Sequence, residues 1–235
     1  MIIEYWSDFS CPFCWIAETR LHKALEQLGI DKETRIVFKA FRLNPNAPKE
    51  PKRNMVEGFA HHYMMPLEMA RDRVESISAM GRSEGLDFNY ATARNSSTFD
   101  GLRLAKYIQS KNNDLCNKFV VRMYKAFFSE NLVLADHAVI KMAGLEMGLT
   151  EEEIDSVLNS EAFAEDVLRD EYEARRMGIQ AVPFFLINRK SYISGAIDIR
   201  DMSRRLMRAY DEEETESSEA GMVCGPDGCH PAKKE

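Results

Sequence analysis

Strand patterns occur at both ends of this chain, and a helical pattern of more than a hundred residues separates them. Residues 2–6 and 35–43 are strand-like and flank apolar residues at helical spacing, which predicts a β-α-β unit with parallel strands. Residues 184–187 and 191–194 predict a β-hairpin. Because two strands and one helix cannot bury a core alone, both ends are expected to contribute to one sheet.

The predicted fold class is therefore α/β, with a sheet interrupted by an all-helical insertion. Residues 44–51 contain three prolines, which end both strand and helix and mark a boundary. A last helix is predicted from about Asp198 to Tyr210, and the acidic run after it predicts a flexible, solvated segment. The predicted domains are a discontinuous sheet domain of residues 1–50 and 178–210, a helical insertion of residues 51–177, and an acidic tail of residues 211–235.

Composition narrows the class of partner and the compartment. The net charge is −7 and 45% of the residues are hydrophobic, which argues for a globular chain and against nucleic acid or an anionic membrane as the main partner. No apolar run approaches the roughly 18 residues that span a bilayer. The first residues lack the pattern of a secretory signal, so the expected localisation is the reducing cytoplasm.

The five cysteines form two close pairs and one isolated residue. Cys11 and Cys14 enclose Pro-Phe at the start of the first predicted helix, whereas Cys224 and Cys229 lie in the acidic tail. An odd number of cysteines, in a chain long enough to bury a core, argues against a structural disulfide framework in the cytoplasm. Cys116 lies in a helical stretch and is predicted to be a small buried apolar residue.

The placement of the first pair predicts dithiol chemistry. Cys11 would occupy the cap position of the helix, where free N–H groups and the helix dipole favour a thiolate. Cys14 would lie one turn deeper and be the more buried sulfur. We therefore expect Cys11 to exchange with the substrate and Cys14 to resolve the mixed disulfide. Half of a zinc site is the alternative, but it would need two further ligands from elsewhere, and no metal is predicted.

Residues 5–15, which include Cys11 and Cys14, and residues 178–185 resemble the DsbA-like thioredoxin-fold family with a helical insertion. The resemblance implies that the Val182–Pro183 bond is cis and lies against the cysteine pair. It also implies that the backbone of Val182 pairs with an extended substrate, which makes Val182 and Pro183 the expected substrate-binding residues. Residues 41–45, residues 97–104 and the tail pair are similar to the FrnE-type subgroup.

The function expected is that of a thiol-disulfide oxidoreductase acting on protein or small-molecule disulfides and thiols. A second class shares the scaffold: kappa-class glutathione transferases and 2-hydroxychromene-2-carboxylate isomerases are similar, but typically have serine at the position of Cys11. No cofactor is expected, and glutathione is left open as a co-substrate. The sequence does not predict the oligomeric state.

The tail cysteines allow three interpretations. Cys224 and Cys229 are predicted to form a second redox pair that exchanges with Cys11 and Cys14, since a tether raises the effective concentration of one pair near the other. The alternatives are a metal site that also uses His230, or an exposed segment without a role in the chemistry.

Overall fold

A computed structural model describes residues 1–220, 222–225 and 228–231 of the chain. The strands are β1 Ile2–Ser7, β2 Arg35–Ala40, β3 Phe184–Ile187, β4 Ser191–Ser194, β5 Met222–Gly225 and β6 Gly228–Pro231. The α-helices are α1 Pro12–Leu28, α2 Met55–His62, α3 Leu67–Ser83, α4 Phe99–Lys111, α5 Asn113–Phe128, α6 His137–Glu146, α7 Glu151–Leu158, α8 Ala164–Arg176 and α9 Ile199–Ala220. A short 3₁₀ helix covers Tyr90–Thr92.

The first four strands form one mixed sheet in the order β2-β1-β3-β4. β1 is parallel to β2 and antiparallel to β3, and β3 forms a hairpin with β4. Helices α2 to α8 lie between β2 and β3 in the chain. The predicted β-α-β … β-β-α arrangement with a helical insertion is therefore confirmed.

β1 is one of the two inner strands of the sheet, and its sequence is typical of that position. Tyr5 and Trp6 leave alternate faces of the strand and both are buried, as expected for a strand covered on its two sides. The ring of Tyr5 stacks on that of Phe185 in β3, with centroids 4.7 Å apart. The two residues are also direct partners in the register of β1 and β3, so ring stacking and strand pairing agree.

Helix α1 joins the sheet to the inserted helices. Pro12 begins it, where a missing N–H costs nothing, and Gly29 ends it in the left-handed conformation at φ 71°. Trp15 stacks on Phe88 and Phe128 of the insertion at centroid distances of 5.5 and 5.8 Å. The helix that carries the cysteines is thus held by aromatic contacts from outside the sheet.

Two predicted element ends were wrong. β2 ends at Ala40 rather than at residue 43, because the N–H of Leu43 turns to the carboxylate of Asp8, 2.7 Å away. Helix α9 continues through the acidic run to Ala220 instead of ending near Tyr210. Glutamate is a good helix former, and Glu213 contacts both the Asn188 side chain at 2.9 Å and the chain's N-terminal ammonium at 3.3 Å. Residues 211–220 are therefore helical, and the predicted end of the last helix near Tyr210 was wrong.

No described helix is both long enough and apolar enough to cross a bilayer.

Candidate active site

The two N-terminal cysteines lie at the junction of β1 and α1. Cys11 is the N-cap residue of α1, with φ −86° and ψ 113°, as the sequence predicted. Its N–H donates to the Asp8 carbonyl at 3.0 Å, and the N–H of Cys14 donates to the Cys11 carbonyl at 3.1 Å. Both sulfurs are free thiols, and their residues are 2% and 0% exposed. Cys14 is the more buried of the two, but the difference is small.

The Val182–Pro183 segment lies directly against Cys11. The Val182–Pro183 peptide bond is cis, as the resemblance implied. The Cys11 thiol donates to the Val182 carbonyl oxygen at 3.5 Å, and both Val182 and Pro183 are buried. The fold therefore brings four of the predicted site residues together across 171 positions of sequence.

Asp8 holds the loop that presents Cys11. Its carboxylate accepts the N–H groups of Ser10 at 3.2 Å and Leu43 at 2.7 Å, and it also bonds to the Thr98 side chain. Burial raises the pKa of Asp8, while these hydrogen bonds lower it in part. One buried carboxyl thus fixes the cysteine loop to the end of β2 and to the start of α4.

Cys14 lies above a cluster of buried hydroxyl groups. The Tyr5 hydroxyl donates to the Cys14 carbonyl at 2.9 Å and lies 2.8 Å from the Tyr124 hydroxyl, which in turn bonds to Ser7. Burial raises the pKa of the Cys14 thiol well above its usual value, and a hydrogen bond from Ser7 lowers it in part. The reduced Cys14 is therefore held as a neutral thiol in this structure.

Glu18 belongs to the site, and the sequence analysis missed it. It follows Cys14 by one helical turn on α1, is 2% exposed, and has one carboxyl oxygen without a hydrogen-bond partner among the described residues. Burial raises the pKa of Glu18 to about 8. The available signal was its position on the apolar face of α1, four residues after Cys14. A carboxyl group in this state can hold or release a proton near neutral pH.

Of the remaining cysteines, Cys116 lies in α5, and Cys224 and Cys229 lie in the β5–β6 hairpin. Cys116 is fully buried and burial raises the pKa of its thiol to about 12, so the prediction of a buried apolar residue is confirmed. Cys224 and Cys229 are facing Cα partners across the β5–β6 hairpin. The side chains of this predicted second redox pair, and that of His230 in the metal alternative, lie outside what the structure describes. Among the side chains that are described, no three His, Cys, Asp or Glu are arranged to hold a metal ion.

A four-stranded mixed sheet, a dithiol at the start of its first helix and a cis-proline segment against that dithiol define a thioredoxin-fold protein of the oxidoreductase class. The chain matches the family described as DSBA-like thioredoxin domain over residues 2–207, and it belongs to that family.

Solved structures give the same result for the fold. A probable DsbA oxidoreductase from Streptomyces coelicolor is 28% identical with a TM-score of 0.84, and the match covers 98% of each chain. The cytosolic disulfide reductase DsbM from Pseudomonas aeruginosa is 16% identical with a TM-score of 0.62, over 90% of this chain and 99% of that one. A 2-hydroxychromene-2-carboxylate isomerase, also 16% identical, reaches 0.68 over 93% of this chain and 100% of its own. The FrnE-type subgroup stays a prediction.

Proposed function

We propose that this protein is a thiol-disulfide oxidoreductase that exchanges disulfides with protein or small-molecule thiols through Cys11 and Cys14. The observation that carries the proposal is the position of Cys11, at the N-cap of α1 and 3.5 Å from the carbonyl of Val182. The N-cap position supplies helix-dipole stabilisation for a thiolate. The Val182 carbonyl belongs to a backbone segment to which an extended substrate can bind.

The chemistry consists of two exchanges. The Cys11 thiolate attacks one sulfur of a substrate disulfide, so that a mixed disulfide forms and the other substrate sulfur leaves as a thiolate. Cys14 then attacks the Cys11 sulfur, which closes the Cys11–Cys14 disulfide and releases the second substrate thiolate. The substrate gains two electrons and the protein dithiol loses them. Run in reverse, the same steps oxidise a substrate dithiol.

We assign Glu18 the role of proton acceptor for Cys14 before the second exchange. A buried thiol must lose its proton before it can attack, and water does not reach a residue that is 0% exposed. Glu18 lies one turn away, with a carboxyl oxygen that has no hydrogen-bond partner among the described residues and a pKa of about 8. A group that changes charge near neutral pH is suited to this transfer.

Val182 and Pro183 are proposed to bind the substrate backbone. Pro183 has no N–H to donate, and in the reduced protein the carbonyl of Val182 already accepts from Cys11. Displacement of that thiol contact by a substrate amide would place an extended chain across Cys11. The Phe13 side chain, 37% exposed between the cysteines, adds an apolar contact for the same chain.

Glutathione is proposed as one small-molecule thiol partner, and the cytoplasm as the compartment. The DsbM structures support both proposals, since that reductase is cytosolic and has been crystallised with GSH. The similarity to a 2-hydroxychromene-2-carboxylate isomerase supports the alternative isomerase or transferase class through the fold alone. The presence of Cys14 beside Cys11 favours disulfide exchange instead, because a conjugating enzyme needs no resolving thiol.

We also propose that Cys224 and Cys229 form a second redox pair. Their facing Cα positions in the β5–β6 hairpin support the proposal, because cross-strand neighbours are close enough for a disulfide. In this role the hairpin pair would pass electrons to or from the Cys11–Cys14 pair after each substrate exchange.

Insulin reduction in the presence of dithiothreitol tests the function. Cys11→Ser is expected to abolish activity, and Cys14→Ser to lose turnover while it accumulates a mixed disulfide detectable by mass. Cys116→Ala is the matched control: it removes a buried thiol outside the site and should retain activity. Activity that survives Cys11→Ser would refute the proposal, and glutathione conjugation that survives Cys11→Ser would favour the transferase class.

A further inference from the structure

Three buried hydroxyl groups form a continuous chain beneath Cys14. Tyr5 and Ser7 extend from β1, whereas Tyr124 extends from α5 in the helical insertion, and all three are at most 1% exposed. The chain runs from the Cys14 carbonyl through the hydroxyls of Tyr5 and Tyr124 to that of Ser7. The Ser7 side chain also lowers the pKa of the Cys14 thiol, the effect of a donor near the sulfur, so both ends of the chain act on the same cysteine.

The number of hydrogens limits how this chain can be arranged. Each hydroxyl has one hydrogen to donate, and a carbonyl can only accept, so the hydrogen of Tyr5 is committed to the Cys14 carbonyl. Tyr124 can then donate either to Tyr5 or to Ser7. If it donates to Tyr5, Ser7 completes the chain by donating to Tyr124. If it donates to Ser7, the hydrogen of Ser7 is free for the Cys14 sulfur.

We propose that Ser7 is the hydrogen-bond donor that stabilises the Cys14 thiolate, and that Tyr124 orients Ser7 for this by donating to its oxygen. The inference rests on the proposed function, since it concerns the second exchange step. In that step the Cys14 thiolate attacks the Cys11 sulfur, the Cys11–Cys14 bond forms, and the bond from Cys11 to the substrate sulfur breaks with its electron pair on the departing thiolate. Ser7 acts on the attacking sulfur by hydrogen bonding and Tyr124 is a positioning residue that acts through Ser7, and neither takes part in the bonds that form or break.

Burial is the reason that one donor matters here. Cys14 is 0% exposed, so its anion depends on donors from the protein, and the Ser7 hydroxyl and the Asp8 N–H both lower the pKa of its thiol. Hydrogen bonds to a charged group are stronger than neutral ones, so ionisation of Cys14 favours the arrangement in which Ser7 donates to sulfur. Because Tyr124 belongs to α5, a residue of the insertion thereby influences how readily the resolving cysteine reacts.

Single-turnover exchange of the reduced protein with dithiobis(nitrobenzoate) separates the two steps. Attack by Cys11 releases one coloured thiolate, and attack by Cys14 on the mixed disulfide releases the second. Ser7→Ala is expected to slow the second release about tenfold, the effect of one hydrogen bond to a charged group, and to leave the first release unchanged. Tyr124→Phe is expected to slow it less, about threefold, since Ser7 remains but loses its orienting partner.

Two further variants make the test specific. Tyr5→Phe removes a hydroxyl from the same chain but leaves Ser7 as the only acceptor for Tyr124, so the second release should become faster. Tyr107→Phe removes a hydroxyl that bonds to Glu153 at 3.0 Å, outside the site, and should alter neither release. In Ser7→Ala the pH at half-maximal second-step rate should also rise, an effect that a purely structural role would not produce.

The proposal is overturned if the second release and its pH profile in Ser7→Ala match those of the wild type, or if both releases slow equally. An unchanged second release in Tyr124→Phe would overturn the part assigned to Tyr124. If the proposed function is wrong, the wild-type protein itself should release no coloured thiolate. That outcome differs from those above and would overturn the inference together with the proposed function. Near-ultraviolet circular dichroism of each variant verifies that its aromatic core is intact.

Discussion

At the scale of single residues, the site combines groups whose ionisation is opposed by burial. Cys14 and Glu18 are both almost fully removed from water, and burial raises the pKa of each. Cys11 differs from both because it is the N-cap residue of α1. Two thiols three residues apart therefore occupy different electrostatic environments, which is what separate attacking and resolving roles require.

The raised pKa of Glu18 predicts a pH-dependent cost to stability. Its pKa is about 8 in the folded protein and near the ordinary 4.5 when unfolded, so the folded state keeps the proton longer. Stability is therefore fully present below about pH 4.5 and decreases as the pH rises towards about 8. Relative to Glu18→Gln, the wild type should lose up to about 1.4 kcal/mol of unfolding free energy per pH unit across that interval.

Urea unfolding of both proteins at several pH values between about 5 and 8 measures this difference. Glu18→Gln retains the shape and hydrogen-bonding capacity of the neutral acid, which makes the comparison a matched one. Parallel stability profiles for the two proteins would show that Glu18 is ionised normally in the folded state.

At the scale of elements, Asp170 connects three parts of the fold. From α8 its carboxylate accepts the N–H of Ala40 in β2 at 2.9 Å and pairs with Lys106 of α4 at 2.8 Å and Lys39 of β2 at 3.2 Å. Its own carbonyl accepts from the Trp6 indole at 3.1 Å. Burial lowers the pKa of Lys39, but the charges and hydrogen bonds of Asp170 and Glu173 together outweigh it, and the net shift is upward. The Asp170 carboxylate thus links α8 and α4 to the sheet.

Removal of this anion should be costly. Asp170→Ala is expected to lower the unfolding free energy by about 3 kcal/mol, because it removes the carboxylate that the half-buried Lys106 and the Ala40 N–H share. Asp201→Ala, which removes an exposed carboxylate paired with Arg204 within one helix, should change stability by no more than about 0.5 kcal/mol. Equal effects of the two substitutions in urea unfolding would contradict the role assigned to Asp170.

At the scale of the whole molecule, the insertion and the sheet share the environment of the cysteines. Trp15 of α1 stacks on Phe88 and Phe128, and Tyr124 bonds to the hydroxyl of Ser7. The domain division drawn from the sequence stays a prediction. What these contacts show is that the helix carrying the dithiol packs against both parts, so a change in the insertion can reach the reactive sulfurs.

The tail pair gives a prediction at this same scale. If Cys224 and Cys229 recycle the Cys11–Cys14 pair, the double variant Cys224→Ser/Cys229→Ser should slow recycling several-fold and leave the first exchange with substrate unchanged. Stopped-flow reduction, with substrate exchange and recycling followed separately, measures both rates. Equal recycling rates in the wild type and the double variant would reject a redox role for the hairpin.

Much of the fold follows from short-range patterns. The strand-like residues 2–6, the cap position of Cys11 and the stop at Gly29 are local features, because a helix start, a helix end and an alternating strand depend on neighbours a few positions away. The extension of α9 was missed because Glu213 finds its partners in Asn188 and the N-terminus, which are distant in sequence.

The sequence by itself determined the order of the four strands of the main sheet around a helical insertion and a dithiol at the start of α1, since each is encoded in adjacent residues. Only the tertiary structure decided what surrounds that dithiol. Glu18 has a raised pKa because other elements exclude water from it, and Tyr124 reaches Ser7 across 117 positions of the chain. Burial and long-range hydrogen bonds depend on how elements pack, and no pattern of neighbouring residues records that packing.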